Sequence, residues 1–386
     1  MRPIYLDWNA TAPPLEAGLR AMVDAARDAW ANPASVHRFG RAARARVEDA
    51  REAVATLARC DARDVVLTSG GTEANNIALS SAFPAVADHE RERSANVLVT
   101  SRAEHASVAR VAEILEKQGR ARIRWIRVCP DGTIDLDDLE RALLEGHVGL
   151  VAMQAVNHET GVVQPVRTAR LLADRVGASL HVDAVQAFGR MPDIAEGADT
   201  RSLAAHKIRG PKSIGALVAR GSCTSLRAVL QGGNQERGVR PGTVDPIAAA
   251  GLEVAARHAL ASPVRYERLA SLRDRVESAL LEHVPGASVN GGTAARAPHV
   301  TNIAFPGWSG AELVAALDLE GVAVSSGSAC SAGTAEPSPT IAAMHDRATA
   351  ACSVRFSLGE ETTLDDIDVA IEVVRHVLER MPGRGQ

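Results

Sequence analysis

Through roughly the first 250 residues, short apolar runs alternate with Ala-rich stretches in which apolar positions recur at helical spacing. The runs that predict strands are 65–68, 97–100, 123–128, 150–156, 179–182 and 214–219. The stretches that predict helices are 73–87, 106–118, 136–145 and 166–176. Strand–helix alternation of this kind predicts an α/β fold, a mostly parallel sheet with helices on both faces. Ligands of such sheets gather beyond the carboxyl ends of the strands.

After Gly251 the pattern changes. A helical stretch at 252–259 is followed, beyond Pro263, by another that runs to about residue 283. Strand-like pieces then fall at 301–305, 322–325 and 352–357, and a final helix at 364–379. This predicts two domains, a large one over 13–252 and a smaller α+β one over 253–386, with residues 1–12 packing nearby. The Pro/Gly-rich tail from Met381 is expected to fray.

Composition narrows the class. A hydrophobic fraction of 46% with 23% charged residues is that of a water-soluble globular chain. The formal net charge of −4 gives no reason to expect direct nucleic-acid binding across the surface. The run Arg41, Arg44, Arg46 reads as the solvated face of a helix. The five cysteines, at 60, 129, 223, 330 and 352, are odd in number and contain no CxxC pair, which favours reduced thiols in a cytoplasmic protein and offers no metal cluster. No basic-then-apolar leader opens the chain, and no uncharged run reaches the roughly 18 residues of a membrane span.

Candidate chemistry centres on Ser202-Leu203-Ala204-Ala205-His206-Lys207-Ile208-Arg209-Gly210-Pro211-Lys212. Lys207 falls on a tight loop between two buried segments, where a partly dehydrated amine loses its proton more easily and can form a Schiff base with an aldehyde. Taken alone, His-Lys is more often a surface loop. The other parts an aldehyde with a phosphate tail would need are also present. Ser69-Gly70-Gly71-Thr72 follows a strand and opens a helix, so backbone N–H groups and the Thr72 hydroxyl can meet an anion. Asp183 ends the 179–182 strand and suits the partner of a pyridinium nitrogen, although a helix cap is an equal reading. Gln186, one turn on, can reach a phenolic oxygen. His105 and Asn157 follow strands into the same crevice, as a stacking ring and an amide donor.

The stretch Ser325-Ser326-Gly327-Ser328-Ala329-Cys330-Ser331-Ala332-Gly333-Thr334 is too small-sided to pack a core, so Cys330 is expected on a mobile loop while the other cysteines are small packing residues. Arg355, on a strand-like piece, offers a fork for a carboxylate or a surface ion pair.

Together these motifs resemble the cysteine desulfurases of the NifS/IscS type, in the class V branch of the fold-type I pyridoxal-phosphate enzymes. The resemblance runs nearly end to end. It includes Tyr5-Leu6-Asp7-Trp8-Asn9-Ala10-Thr11, Asn32-Pro33-Ala34-Ser35-Val36-His37, the stretches 68–76, 157–164, 181–186, 206–212 and 232–243, Glu104-His105, and Ser326-Gly327-Ser328-Ala329-Cys330-Ser331, a signature of group I. It implies a seven-stranded-type sheet and conversion of L-cysteine to L-alanine. Lys207 would hold pyridoxal 5'-phosphate, His105 stack on its ring and move protons with Lys207, Asp183 pair with its nitrogen and Gln186 with its phenolic oxygen. Gly71, Thr72 and His206 would hold the phosphate. Thr243 would reach the phosphate of a neighbouring subunit, which implies a homodimer. Asn157 would serve cofactor and substrate, and Arg355 the substrate carboxylate. Cys330 would take the sulfur as a persulfide for an acceptor protein, feeding iron–sulfur cluster assembly, tRNA thiolation or DNA phosphorothioation. Selenocysteine lyase, another class V activity, or an inactive scaffold for sulfur-transfer partners remain alternatives. Two positions depart from the usual pattern: Ala204 replaces a phosphate-binding serine, and His158 stands where many members have asparagine.

Overall fold

The structure is a computed structural model that describes residues 2–84, 96–192, 194–221, 225–327 and 337–381. Twelve strands occur among these residues: β1 (Ile4–Tyr5), β2 (Val65–Thr68), β3 (Val97–Ser101), β4 (Arg122–Ile126), β5 (Val148–Gln154), β6 (Ser179–Asp183), β7 (Thr200–Ala204), β8 (Gly215–Ala219), β9 (Ser288–Val289), β10 (Val300–Ala304), β11 (Val322–Ala323) and β12 (Ser353–Ser357). The helices are α1 (Glu16–Asp28), α2 (Arg38–Ala58), α3 (Gly71–Ala82), α4 (Ala106–Lys117), α5 (Leu136–Leu144), α6 (Val166–Val176), α7 (Pro246–Ala259), α8 (Ser262–Glu267), α9 (Leu269–His283), α10 (Gly310–Leu319), α11 (Pro339–Met344), α12 (Arg347–Ala351) and α13 (Leu364–Arg380).

Seven strands form one sheet in the order β2-β8-β7-β6-β5-β3-β4. Neighbours from β7 to β4 run parallel, and β8 alone runs against both of its neighbours. The carboxyl ends of β2, β3, β5, β6 and β7 therefore share one edge. Strands β2, β3 and β8 are buried at every position, as expected for a sheet covered on both faces. One core joins one face of this sheet to α2, α5, α6 and α7, and another joins the opposite face to α3 and α4.

A separate core gathers β10, β12, α9, α10 and α13. Ile4 and Leu6 belong to it, because β1 pairs in parallel with β11 at Ile4↔Val322 and Tyr5↔Ala323. The α13 amino end is closed by a capping box in which Thr363 and Asp366 exchange hydrogen bonds.

Most predicted elements recur within a few residues. The helix expected over 73–87 begins at Gly71, and its last three positions lie outside the described residues. The expected frayed tail beyond Met381 also lies outside them. The sequence pattern does not reveal α1 or β7, and of α2 it marks only the arginine face at 41, 44 and 46, of which Arg46 is half-buried. The Arg41 and Arg44 side chains stand on the exposed face of α2, as their spacing implies.

Candidate active site

Five strand ends deliver side chains to a cavity of about 190 Å³. Gly71 and Thr72 enter from the start of α3, His105 from the start of α4, Asp183 from β6, and Lys207 from the turn after β7. Gln186, His206 and Arg355 complete the expected residues that line it. Asn157 and Thr243 are not among the lining residues. Thr243 borders a different cavity of about 400 Å³, with Asn32, Arg51 and Glu236. Cys330 lies outside the described residues, as does Cys223. Cys129 and Cys352 are half-buried, and burial pushes both thiols up, as suits packing residues.

Lys207 is held from the amino-terminal segment. Its Nζ donates to the Asn9 carbonyl and, at 2.8 Å, to the Ala10 carbonyl. Arg190, fully buried, braces the same region through the Trp8 carbonyl at 3.0 Å, Asn9 Oδ1 at 2.8 Å and the Lys207 carbonyl at 2.9 Å. Gln186 donates to the Asn9 carbonyl at 3.1 Å. The His206 ring lies 3.2 Å from Thr11 Oγ1, and burial together with the Lys207, Arg190 and Lys212 charges pushes its pKa down to about 4.

Asp183 is fixed on every side. Its Oδ1 accepts from the Val185 N–H at 3.1 Å and Ser202 Oγ at 3.2 Å, and its Oδ2 from Asn75 Nδ2 at 2.8 Å. The carboxylate can only accept, so the Asn75 amide nitrogen faces it and Oδ1 turns to His181 Nε2 at 2.9 Å. His181 therefore carries its proton on Nε2 and takes the Thr200 hydroxyl on Nδ1, at 2.9 Å. Burial pushes its pKa down to about 4, against the pull of Asp183, so the ring is neutral.

The same Asn75 amide donates to Ser107 Oγ at 2.8 Å, which lies 2.7 Å from His105 Nδ1. The Ser107 backbone N–H also donates to that nitrogen, at 3.1 Å, because His105 is the N-cap of α4. A backbone N–H cannot accept, so Nδ1 of His105 bears the lone pair and the neutral ring carries its proton on Nε2. Beside it Glu104 is buried, and desolvation reinforced by Asp183 pushes its carboxyl up to about 8 despite the Ser101 hydroxyl at 2.9 Å.

On the opposite side, Arg355 is buried on β12 with Nη1 on the His158 carbonyl at 2.9 Å and Nη2 on Asp7 Oδ1 at 2.6 Å. Its Nε has no partner among the described residues. Asn157 spends its side chain on the turn below. Its Oδ1 accepts from the Glu159 and Thr160 N–H groups at 2.9 and 2.8 Å, and its Nδ2 donates to the Ala103 carbonyl at 3.2 Å. That is an Asx turn, which aims the following residue, His158, into the cavity.

The residues fit a phosphorylated aldehyde. The α3 amino terminus has no side-chain cap, so its N–H groups are available to an anion. Gly70 sits at φ +148°, a conformation that favours glycine. A Cβ on Gly71 would stand 2.5 Å from Val185 Cγ2 and 3.7 Å from Ala204 Cβ, so only glycine keeps this corner open. An amine, a buried carboxylate and this anion cradle thus border one cavity.

The sequence reading did not single out Asn75, Ser107, Asn9, Asp7 or Arg190 for the site. Asn75 was detectable in principle, since it lies one helical turn beyond Gly71 on the same face of α3.

The chain matches the Aminotransferase class-V family over residues 4–369. It belongs to that family of pyridoxal-phosphate enzymes and, within it, to the cysteine desulfurases. A cysteine desulfurase of Cereibacter sphaeroides is 40% identical over 385 residues, spanning 99% of this chain and 97% of its own length. Among solved structures, a NifS-like protein superposes with a TM-score of 0.88 at 27% identity, covering 98% of this chain and all of that one (100%). SspA in complex with cysteine superposes with a TM-score of 0.79 at 28% identity, covering 93% of this chain and 100% of that one.

Proposed function

We propose that this cysteine desulfurase converts L-cysteine to L-alanine at the Lys207–Asp183 cavity and passes the sulfur to Cys330 as a persulfide. The observation that carries the proposal is the convergence of the Lys207 amine, the Asp183 carboxylate and the uncapped α3 terminus on one cavity that also contains Arg355. Bound there, pyridoxal 5'-phosphate supplies an electron sink for the pair left on the substrate carbon.

The chain's own residues do the rest. Gly71, Thr72 and His206 would hold the phosphate, and Lys207 the aldehyde carbon through Nζ. Asp183 would supply a negative charge to the ring nitrogen, and Gln186 would serve the phenolic oxygen. Arg355 takes the substrate carboxylate; its Nε is the donor left over by Asp7 and His158. Lys207 would accept the Cα proton at Nζ. His105 stacks on the ring and, with Nδ1 already accepting, offers an N–H rather than a lone pair. Asn157 acts by holding the turn that places His158, a narrower part than direct contact with cofactor and substrate.

We further assign Thr243 to a partner subunit's phosphate, which makes the enzyme a homodimer with twice the 40.6 kDa mass in sedimentation. Residues 13–252 and 253–386 act as the cofactor-binding and smaller domains. The persulfide passes to a thiol-bearing acceptor protein in the cytoplasm, for iron–sulfur cluster assembly, tRNA thiolation or DNA phosphorothioation. Among the described residues no helix is long and apolar enough to cross a membrane. The test of the activity is alanine release from L-cysteine by the loaded protein. Cys330→Ala should keep the cofactor absorbance and lose alanine formation, and undiminished turnover removes Cys330 from the reaction.

A further inference from the structure

The segment 235–243 is fastened first to β2 and then to α3, the two elements that frame the anion cradle. Two consecutive non-glycine residues in it, Glu236 at φ +47° and Arg237 at φ +58°, keep left-handed backbone that persists only where the surroundings over-determine it. Those surroundings are the free edge of β2, an outer strand of the seven-stranded sheet. Glu236 turns inward and accepts from Arg51 Nη1 and Nη2, each at 2.7 Å, and from the Leu67 N–H at 2.8 Å. Arg51 and Arg237 donate to the Val65 carbonyl at 2.9 and 2.8 Å. Side chains thus complete the edge that backbone pairing leaves open.

Val239 then joins Val66 of β2 with Ala74 and Ile77 of α3 in one core. That contact delivers Arg240 to the first turn of α3. Its Nε lies 3.3 Å from both carboxylate oxygens of Glu73, and the two side chains are only 21% and 17% exposed. Glu73 in turn accepts from the Ser69 N–H, at the head of the cradle. Neither Arg240 nor Glu73 lines the cavity, so they can act on an anion there only through the turn and through charge. The positive end of α3 attracts any anion, and Glu73 already sits in its first turn. Left alone, that carboxylate would oppose a phosphate at Gly71 and Thr72. A guanidinium at 3.3 Å cancels the charge and leaves the Ser69 hydrogen bond in place.

Resting on the cofactor reading above, we propose that Arg240 is a positioning residue for the phosphate of pyridoxal 5'-phosphate, acting through Glu73. It keeps Glu73 on the Ser69 N–H and offsets a negative charge beside the cradle. The Glu236–Arg51 pair fixes the start of the segment, so Arg240 arrives with its backbone already placed. No bond forms or breaks in this role. What changes is the electrostatic cost of bringing a dianion to the start of α3.

The test is equilibrium dialysis of the apoprotein against pyridoxal 5'-phosphate and against pyridoxal, which lacks the phosphate, with phosphorus NMR of the bound cofactor. Arg240→Gln should weaken pyridoxal 5'-phosphate about 10-fold and leave pyridoxal within about 2-fold. Arg240→Lys, which keeps the charge, should stay within about 3-fold of wild type for both. Adding Glu73→Gln, which keeps an acceptor for Ser69 but drops the charge, should return Arg240→Gln to within about 3-fold of wild type. A segment merely loosened, with Thr243 misplaced, is not rescued in this way. Glu73→Gln alone, which does not depend on the folding of Arg240→Gln, should bind at least as tightly as wild type. The phosphorus resonance should titrate at higher pH in Arg240→Gln, because an unopposed carboxylate disfavours the dianion. Equal losses on both ligands, no recovery in the double variant, a loss in Glu73→Gln alone, or an unmoved titration would overturn the assignment. Wild-type apoprotein that holds pyridoxal as tightly as pyridoxal 5'-phosphate overturns the cradle reading itself, before any variant is made, and the role of Arg240 falls with it.

Discussion

The two walls of the cavity are built differently. Around Asp183 the polar atoms are paired with one another: Asn75 joins the carboxylate, His181 and Ser107, and Ser107 joins His105. Around Arg355 the pairing is incomplete, with Nε of the arginine and Nδ1 of His158 buried and without partners among the described residues. Leaving such atoms unmet costs about 1–3 kcal/mol each in an empty site. The first wall keeps open groups of its own, since the α3 amino terminus is uncapped and Glu104 Oε2 has no partner among the described residues. The difference lies in the side chains: Asp183 is fixed by its neighbours, whereas Arg355 and His158 each keep a polar atom unmet among the described residues.

The strongest way to break this contrast is at its covalent anchor. Lys207→Ala should lower turnover by roughly 10⁴-fold or more. Borohydride reduction and digestion should then find no cofactor-bearing peptide, and a labelled peptide at this position would contradict the role. Next comes the paired wall. Asn75→Ala strands Asp183, His181 and Ser107 together, and should cost the apoprotein about 2–3 kcal/mol in urea unfolding. A loss below about 0.5 kcal/mol would mean that water replaces the amide. On the open wall, Arg355→Lys keeps the charge but loses the fork, and should raise KM for cysteine by about 10- to 100-fold while the cofactor spectrum stays unchanged.

Acid tests the paired wall in another way. His181 and His206 are held near 4, chiefly by burial, against about 6.5 in the unfolded chain. The unfolded state therefore binds more protons between these values. The stabilisation is full above about pH 6.5 and is lost as pH falls towards 4. The urea midpoint should drop between pH 7 and 5, and a flat midpoint would show that the rings are already charged in the fold. The smallest effect concerns Ala204, beside the phosphate cradle. Ala204→Ser should tighten cofactor binding about 5-fold, the worth of roughly 1 kcal/mol from one added hydroxyl donor. Unchanged affinity in equilibrium dialysis would show that the cradle is already saturated.

How much was legible follows the same division. Strands with apolar residues on both faces announced themselves, and so did residues whose type is tied to one task, such as Lys207 between two buried runs. Strand β7 stayed hidden because Thr200, Arg201 and Ser202 break its apolar pattern. Its arginine is buried nonetheless, donating to the Ala58 carbonyl at 2.6 Å and lying over Phe188. Helix α1 is masked by Arg and Ala in place of a strong apolar stripe, and α2 showed only its arginine face. Asn75 and Arg190 escaped because an amide or guanidinium gains its meaning only from partners that are far away in sequence. The resemblance pointed to Asn157 as a contact, and its hydrogen bonds to the turn below were not legible from the sequence.

The pairing of β1 with β11 joins residue 4 to residue 322. During synthesis the first segment must therefore wait, unpaired, until most of the chain has left the ribosome, and closures over such separations are slow. Asn9 and Ala10, which supply the carbonyls that hold the Lys207 amine, lie just beyond that strand, so the segment that touches the reactive centre is anchored at one end by a closure across most of the chain.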